Sequence, residues 1–599
     1  MRSEAGPQAL YFGPADGQLF GWLHLPADGS APRTGLVICN PFGFEEVCAH
    51  RSLRDLAAAA AASGIATLRF DYAGCGDSAG DEFSPRQLES WVASVHEAAA
   101  FLKCSTGLDR VCLLGLRLGA AVASLAAVQR DDVQDLIAIA PVIRGRGYLR
   151  ELRALDAVKR QARAHGEPAG EYFESAGFLM TRETSESIAG LDLHALPRAP
   201  AGMVLIVERD DLPGSDGWAE TLQRLGADAS VALWPGYIGM MDDPRRARTP
   251  DAIVQGITGR LSRCMVKAGA GKDTGAHSAR IVVPTNAGEV VVREKPLRLD
   301  TGSSVLFGIL TDTLDAHAGA DRAGTRGVVM LNAGSVHRIG PDRMWVQLAR
   351  AWAARGFVVL RLDISGIGDS PPRQGQPENE VYSGQALEDV ALALNYMRDR
   401  LGVQRLHLLG LCSGAYHAFK AAAAGHAIDS AVMINPLTFH WREGTVMDQE
   451  LLEADVLEVA HRYRRTVFSR EPWVKLLRGQ LHLRLVTEVV VRRVSSALID
   501  ALRDWARVLG LHFEQDLAEA LLATVERGIR LSFVFAATSP GYDLLRRQGG
   551  RVVNRLRHRG GLSIDLVEDA DHTFTHYEAR KRLIPALERL MFSGPDWRK

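Results

Sequence analysis

The chain has 599 residues, of which 47% are hydrophobic and 24% charged, and its formal net charge is −1 at pH 7. This length exceeds what one hydrophobic core normally serves, so we expect two or more domains. The near-neutral charge argues against a generally basic surface, and we expect no nucleic acid among the partners.

The sequence shows no targeting or metal-binding pattern. Residues 1–11 contain Arg, Glu, Gly and Pro without an apolar core, which predicts no signal peptide. No stretch reaches the roughly 18–20 uncharged apolar residues of a membrane span. The seven cysteines lack paired spacing, so we expect no disulfide framework, no metal site and a reducing, cytoplasmic location. No cofactor is expected, and the oligomeric state is open.

One series of landmarks occurs twice in the chain. Each copy has a strand ending in Asn, then a D-x-x-G-x-G-D-S loop, then a strand followed by a turn rich in small residues. Matching positions lie 292, 292 and 295 residues apart, in the pairs Asn40 and Asn332, Asp71 and Asp363, and Gly115 and Gly410. Three landmarks in register indicate a tandem duplication.

Each copy alternates short apolar runs with helical stretches, such as 84–102 and 388–401. This alternation predicts an α/β fold with mostly parallel strands. Ser84 followed by Pro85 is predicted to cap the first of these helices. A small, polar, Gly-rich stretch separates the copies and is predicted to be a linker. The predicted domains are 1–265 and 281–599, joined by the linker 266–280.

The turn in each copy has the pattern of a nucleophile elbow, G-x-S-x-G, between a strand and an Ala-rich helix. The first copy reads Gly-Leu-Arg117-Leu-Gly-Ala, and the second reads Gly-Leu-Cys412-Ser-Gly-Ala. With the preceding strand and loop, each half resembles the α/β-hydrolase superfamily. The resemblance implies two α/β-hydrolase domains in tandem, each with a helical lid insertion. The two elbows together resemble the paired hydrolase-like proteins encoded with bacterial exosortase and exopolysaccharide systems.

The first copy lacks two residues that the superfamily uses for catalysis. Arg117 stands in the nucleophile position, and a guanidinium has no nucleophilic form at neutral pH. The segment 235–242, where the catalytic His is expected, contains no His. We therefore predict a degenerate domain that acts as a structural partner, or one in which Arg117 holds an anion such as a carboxylate or phosphate. Asp210 and Asp211 are alternative partners for this arginine.

The second copy retains a cysteine version of the site. Cys412 is the predicted nucleophile, and His572, directly after a predicted strand, is the predicted general base. His576 is its competitor. The acid is open, because Ser539 stands where related sequences carry Asp. Asp543 is one candidate, and Asn435, through its amide oxygen, is the other.

The predicted oxyanion hole needs two backbone N–H groups near Cys412. One is expected from Ser413, and the other from the loop containing Ala333 and Gly334. His337 and Arg338 in the same loop are possible pocket residues or ordinary loop residues. Asp363 and Asp369 are interpreted as loop-stabilising residues.

A cysteine nucleophile favours acyl transfer, because an acyl-cysteine is a thioester of about the same energy as acyl-CoA or an acyl-carrier thioester. Cysteine elbows of this kind resemble those of polyhydroxyalkanoate-synthase-like enzymes, whereas dienelactone-type enzymes use theirs for hydrolysis. We expect an acyltransferase or thioesterase, a simple carboxylester or thioester hydrolase, or a non-catalytic scaffold.

A large helical lid is predicted at about 438–530. Its segment 461–493 carries nine Lys or Arg residues against two Glu residues. This excess of positive charge fits an acidic carrier protein or the phosphates of CoA, although a solvated helix face is an equally ordinary explanation.

Overall fold

The computed structural model divides into two compact units. The first comprises Met1–Ala320 and Ser335–Glu380, and the second comprises Asp321–Gly334 and Val381–Lys599. The structure describes residues 6–592, except for 27–30, 162–171, 213, 215–216, 265, 267–268, 270, 273–274, 301, 303–304, 314–324 and 442–515. The domain boundaries predicted around 266–280 stay a prediction.

The strands and helices follow one another in the alternating order that the sequence predicts. The strands are β1 (Gln8–Phe12), β2 (Leu19–His24), β3 (Thr34–Cys39), β4 (Ile65–Phe70), β5 (Val111–Leu116), β6 (Val133–Ile139), β7 (Tyr172–Ser175), β8 (Phe178–Thr181), β9 (Met203–Val207), β10 (Asp228–Ala232), β11 (Ala279–Thr285), β12 (Gly288–Asp300), β13 (Val305–Thr313), β14 (Arg326–Met330), β15 (Val358–Asp363), β16 (Arg405–Leu411), β17 (Ser430–Ile434), β18 (Arg530–Ala536) and β19 (Leu562–Val567). The helices are α1 (Phe44–Ala62), α2 (Gln87–Thr106), α3 (Leu118–Ala127), α4 (Gly145–Gln161), α5 (Arg182–Ala189), α6 (Trp218–Arg224), α7 (Tyr237–Met240), α8 (Asp251–Leu261), α9 (Met344–Ala353), α10 (Ala386–Asn395), α11 (Ser413–Ala423), α12 (Leu517–Glu526), α13 (Pro540–His558) and α14 (Tyr577–Phe592).

The first unit contains an eight-stranded sheet in the order β1-β2-β4-β3-β5-β6-β9-β10. The pairs β1–β2 and β2–β4 are antiparallel, and the other pairs are parallel. Strands β3 and β5 are buried along their whole length. Their nearly continuous apolar sequences follow from this, since helices cover both faces of a parallel sheet. The first unit also contains the antiparallel run β11-β12-β13-β15.

The second unit contains the parallel run β14-β16-β17-β18-β19. Helix α11 follows β16 directly, and a single residue, Cys412, separates them. Parallel strands with intervening helices thus occur in both copies, which confirms the predicted α/β class. None of the described helices is long and apolar enough to cross a membrane.

Two helix predictions differ from the structure at their ends. The predicted Ser84 cap is wrong, because α2 begins at Gln87 after Arg86, whose φ is 52°. The Ser84 hydroxyl instead bonds the Asp81 carboxylate within the preceding turn, as serine side chains do when a local turn competes with the helix. In the second copy, α10 passes into a π-helical turn over Tyr396–Arg400.

A network of buried charges joins the two D-x-x-G-x-G-D-S loops inside the first unit. Arg338, which is 2% exposed, pairs with Asp77 of the first loop at 2.7 Å. It also pairs with Asp363 at 3.0 Å and Asp369 at 2.8 Å, both from the second loop. Arg361 adds a second cation to Asp77 and bonds Glu294 at 2.9 Å.

Two carboxylates of this network, Asp77 and Asp369, are held in the charged state. Asp77 and Asp369 are both buried, and the neighbouring guanidinium groups, with Arg338 on Asp77 and Arg69 on Asp369 foremost, outweigh the cost of burial and lower the pKa of each carboxyl. Asp363 also accepts the backbone N–H groups of Arg338 and Asp369. These contacts agree with the interpretation of Asp363 and Asp369 as loop-stabilising residues.

The predicted lid can be followed only in part. Of 438–530, the structure describes residues 438–441 and those from 516 onward, including α12. The basic segment 461–493 lies outside the described residues, so its predicted role stays a prediction.

Candidate active site

Cys412 occupies a strained turn between β16 and α11. Its backbone has φ 57° and ψ −116°, a region that side chains other than glycine rarely adopt. A Cβ on Gly410 would collide with the backbone of Gly414, and a Cβ on Gly414 would collide with the backbone oxygen of Asn332. Both glycines are therefore required by close backbone approach, as the elbow pattern predicts. The cysteine is 8% exposed.

Replacing Gly414 with Ala is expected to destabilise the protein by about 1–3 kcal/mol, because the added methyl group overlaps the Asn332 carbonyl and the turn has to move. The measurement is the free energy of unfolding in denaturant. Gly384→Ala is the matched control, since a Cβ at that glycine meets nothing within 4 Å. Equal stabilities of the two variants would contradict the close approach.

The elbow of the first copy has the same backbone with a different side chain. Arg117 has φ 54° and ψ −120°, within a few degrees of Cys412. Cβ atoms on Gly115 and Gly119 would again meet backbone atoms, in the latter case the carbonyl oxygens of Cys39 and Asn40. The duplication is therefore visible in the backbone of both turns, including the one that has no nucleophile.

The Arg117 guanidinium is paired with carboxylates of its own unit. Its Nε donates to Glu45 at 2.7 Å, and its second terminal nitrogen donates to Glu151 at 2.6 Å. Tyr148 donates a further hydrogen bond to Glu45 at 2.9 Å. The sequence alternative of Asp210 and Asp211 as partners is wrong. Asp210 accepts the backbone N–H of Gly236, and Asp211 pairs with Arg209.

His572 lies near the nucleophile elbow through the neighbouring strand, β17. The Cys412 N–H donates to the carbonyl of Ile434, the last residue of β17, at 2.9 Å. The next residue, Asn435, donates its side-chain amide to the carbonyl of His572 at 2.7 Å. Two consecutive residues thus hold the backbones of the predicted nucleophile and the predicted base.

Asn435 acts on the backbone and not on the imidazole. Its amide oxygen accepts the N–H of Ala536 at 2.9 Å, so both ends of the amide are engaged with main-chain groups. The alternative in which Asn435 orients the imidazole through its oxygen therefore does not fit the structure. Sequence reasoning found the residue but missed this anchoring role, which depends on the β17–β18 register.

The His572 imidazole is buried within the fold. Both ring nitrogens are buried and have no hydrogen-bond partner among the described residues. Burial disfavours the charged ring and lowers the pKa of His572 to about 4. At neutral pH the ring is uncharged, which is the form that accepts a proton.

The candidate acid lies on the helix that follows β18. Asp543 is in the first turn of α13, where a carboxylate interacts favourably with the positive end of the helix. No hydrogen bond joins Asp543 to either ring nitrogen of His572. Asp571 is engaged in its own turn, accepting from Thr573 and Thr575. In the part of the chain that the structure describes, the backbones of Cys412 and His572 are both bonded to the end of β17, and no acid is bonded to the imidazole.

The backbone around the predicted oxyanion hole is well defined. The N–H of Gly334 donates to the Ser413 hydroxyl at 3.0 Å, so this amide is already engaged. Ala333 is buried beside it. The Ser413 N–H is the first N–H of α11 and has no partner among the described residues. It lies at the N-terminus of the helix, which is where an oxyanion donor is expected. The Ser413 hydroxyl, which sequence reasoning did not use, fixes the Gly334 loop to the elbow.

An aromatic cluster stands one turn along the elbow helix. Tyr416 donates its N–H to the Cys412 carbonyl. Its ring contacts Tyr382 edge to face at 5.2 Å, and Tyr382 stacks on Trp441 at 4.2 Å. Tyr382, Tyr416 and Trp441 are far apart in sequence, and no sequence motif predicted that they would form a cluster.

His337 and Arg338 lie in the first unit, where Arg338 belongs to the buried charge network and His337 stacks on His50 with ring centroids 4.0 Å apart. The backbone carbonyl of His576, just before α14, accepts a hydrogen bond from the N–H of Arg580. The choice of His572 over His576 as the general base stays a prediction.

Two family models match the chain. A model described as the alpha/beta hydrolase fold matches residues 334–499, and one described as serine aminopeptidase S33 matches residues 32–171. A comparison with curated proteins returned no match.

Solved structures of similar fold share little sequence with the chain. Est1E from Butyrivibrio proteoclasticus with bound ferulic acid is 17% identical, with a TM-score of 0.33, over 43% of this chain and 98% of its own. DcsB in complex with a substrate analogue is 14% identical, with a TM-score of 0.33, over 43% and 99%. A proline iminopeptidase-related protein from Thermus thermophilus is 17% identical, with a TM-score of 0.30, over 43% and 99%. From the family models and the two elbows, the chain carries two regions of α/β-hydrolase fold, one in each copy, and is hydrolase-like at the level of the fold.

Proposed function

We propose that the second copy is an acyltransferase or thioesterase that works through an acyl-Cys412 intermediate with His572 as general base. The observation that carries the proposal is that two consecutive residues at the end of β17 bond both backbones: the Ile434 carbonyl accepts from the Cys412 N–H, and the Asn435 amide donates to the His572 carbonyl. The strained elbow backbone of Cys412 supports the same role, because strain of this kind is concentrated at functional sites.

The proposed reaction has two halves. His572 accepts the thiol proton as the Cys412 sulfur attacks the carbonyl carbon of a thioester or ester. The oxyanion accepts hydrogen bonds from the Ser413 N–H and from the Ala333 N–H of the neighbouring loop, since the Gly334 N–H is engaged with the Ser413 hydroxyl. Collapse breaks the bond to the leaving group, which takes the proton from His572. An alcohol, amine or water then attacks the carbonyl carbon of acyl-Cys412 and gives its proton to His572. Collapse breaks the bond between this carbon and the Cys412 sulfur, releases the acyl product, and returns the proton from His572 to the sulfur.

The proposed site is a dyad, without an acid bonded to His572. A Cys–His pair depends less on an acid than a Ser–His pair does, since the thiol is the more acidic nucleophile. Asp543 remains the candidate acid. Its proposed role is to position the His572 imidazole, which requires α13 to move so that the Asp543 carboxylate reaches the ring.

The substrate class follows from the thioester chemistry and from the resemblance to exosortase-associated and exopolysaccharide-associated proteins. We propose an acyl-CoA or acyl-carrier-protein donor, with an alcohol, amine or water as acceptor. The first copy is proposed to be non-catalytic, supported by the carboxylates on both sides of the Arg117 guanidinium. An anion at Arg117 would have to displace Glu45 or Glu151.

The test is the intact mass of the full chain after incubation with a panel of acyl thioesters. Wild type is expected to gain one acyl group, Cys412→Ala none, and Cys104→Ala, at an exposed cysteine, as much as wild type. Chasing the adduct with water or alcohols separates hydrolysis from transfer. A chain that gains no Cys412-dependent adduct from any thioester or ester would favour the non-catalytic scaffold.

The proposed base predicts an unusual pH profile. Because burial lowers the pKa of His572 to about 4, the ring stays neutral until the pH falls near that value, and only then is the base lost. The acid limb of kcat/KM is expected near pH 4, well below the ordinary histidine value of about 6.5. His576→Asn is the control and should leave the limb in place. A limb at the ordinary value would show that His572 is not the base in this buried state.

A further inference from the structure

A second cluster of chemically reactive side chains lies in the first unit, outside the proposed active site. Glu46 and His50 stand one turn apart on α1, and His337 lies in the loop after β14. One ligand atom from each lies within 4.8 Å of the others. The three side chains line a cavity together with Asn40, Asp71 and Asp369.

The spacing of Glu46 and His50 suits a shared ion. Glu46 Oε1 and His50 Nδ1 are 3.2 Å apart. Two ligands that each bond a tetrahedral Zn²⁺ at about 2.0–2.1 Å stand roughly 3.3 Å apart. Residues at i and i+4 of a helix supply this arrangement because they share one face.

The other nitrogen of His50 faces a carboxylate. His50 Nε2 lies 3.5 Å from Asp369 Oδ2, whose side chain is 1% exposed. A histidine that binds a metal through one ring nitrogen almost always presents the other to a carboxylate or carbonyl, which fixes the ring. Asp369 itself is held by Arg338 at 2.8 Å, so this outer partner has a fixed position.

His337 gives independent evidence for a ligand at this site, because one of its ring nitrogens is buried and unpartnered among the described residues. The residue is 3% exposed, and its Nδ1 is buried without a hydrogen-bond partner in the part of the chain that the structure describes. The His337 ring stacks on the His50 ring with an interplanar angle of 16°. To bond the ion, the His337 ring has to rotate out of this stack. Its ligand atom then has to move roughly 1–1.5 Å closer to the other two, given metal–ligand bonds of about 2.1 Å.

We propose that Glu46, His50 and His337 bind a divalent transition-metal ion of the Zn²⁺ class, with one position left for water. Two imidazoles and a carboxylate are a ligand set that Zn²⁺ accepts. Asn40 and Asp71 line the same cavity and are polar enough to bond that water. The ion would tie α1 to the loop that carries Arg338. This site is independent of the reaction proposed for Cys412.

The test uses the full chain after chelator treatment, titrated with Zn²⁺ by calorimetry and with Co²⁺ by visible absorption. Wild type is expected to bind one equivalent that depends on this cluster. Glu46→Gln and His337→Gln should each weaken that equivalent by more than about 100-fold, beyond the 10–100-fold typical of losing an outer partner. His277→Gln, at an exposed histidine, is the matched control and should bind as wild type does.

Two outcomes would overturn the proposal. One is a wild-type chain that binds no Zn²⁺ and gives no tetrahedral Co²⁺ spectrum. The other is an equivalent whose affinity is the same in both cluster variants, which would place the ion elsewhere. The melting temperature of each variant, measured with and without Zn²⁺, identifies any variant that is misfolded. A rise in wild-type melting temperature that is absent in a folded Glu46→Gln protein supports the site without requiring His337→Gln to fold.

Discussion

Cys412→Ala is expected to lower kcat/KM for the best thioester substrate by a factor on the order of 10⁴ to 10⁶, the loss found when a covalent nucleophile is removed. His572→Ala should cost a similar factor, because the thiol then has no base. The double variant should lose little more than either single one, since the two residues act as a unit. The measurement is steady-state kinetics of all three variants against wild type.

The kinetic control is Cys104→Ala, which should keep wild-type kcat/KM because this cysteine is exposed and outside the site. The three variants should also keep the wild-type unfolding midpoint. Independent, additive losses in the double variant would contradict a Cys–His unit. Full activity in Cys412→Ala would assign the turnover to another residue.

Arg338→Ala is expected to destabilise the protein by about 3–5 kcal/mol, the cost of removing one partner from a buried ion pair. Three buried carboxylates bond this guanidinium, those of Asp77, Asp363 and Asp369. Only part of their charge is balanced by Arg361 and Arg69, so the variant leaves negative charge uncompensated. The measurement is the free energy of unfolding at neutral pH.

Arg405→Ala is the matched control, because its pair with Asp429 at 4.0 Å is about half exposed and is expected to contribute well under about 1 kcal/mol. The loss in Arg338→Ala should shrink in acid. The pKa of Asp77 and of Asp369 is lowered in the folded protein, so their contribution is present above the unfolded value near 3.9 and fades as the pH falls through the folded values. A loss no larger than that of Arg405→Ala would contradict the role of the network.

Local patterns predicted the α/β fold and the two elbow turns. The elbow could be predicted because one of its glycines is required by a contact between residues four apart, Gly410 and Gly414, although Gly414 itself is required by the distant Asn332 carbonyl. Cys412 and His572 were chosen from their positions after strands, and both backbones are bonded to the end of β17. Helix ends were less predictable, since Ser84 satisfies a turn and not the helix.

The residues that sequence could not assign depend on long-range placement. Asn435 was recognised as polar and strand-terminal, but its two main-chain partners depend on the neighbouring strand and the His572 loop. Glu46, His50 and His337 have no metal motif because 287 positions separate the second histidine from the first. A search for short spacing therefore predicted no metal site. The partners of Arg117, Glu45 and Glu151, could not be predicted either, because they come from the distant helices α1 and α4.

The charge network has a consequence for separating the two copies. A gene split within 266–280 would leave Asp77 in one product, and its two cations, Arg338 and Arg361, in the other. The first product would then carry Asp77 without its two counter-ions, and the second would carry the two arginines without this acid. Each half alone is therefore expected to be less stable than it is within the full chain.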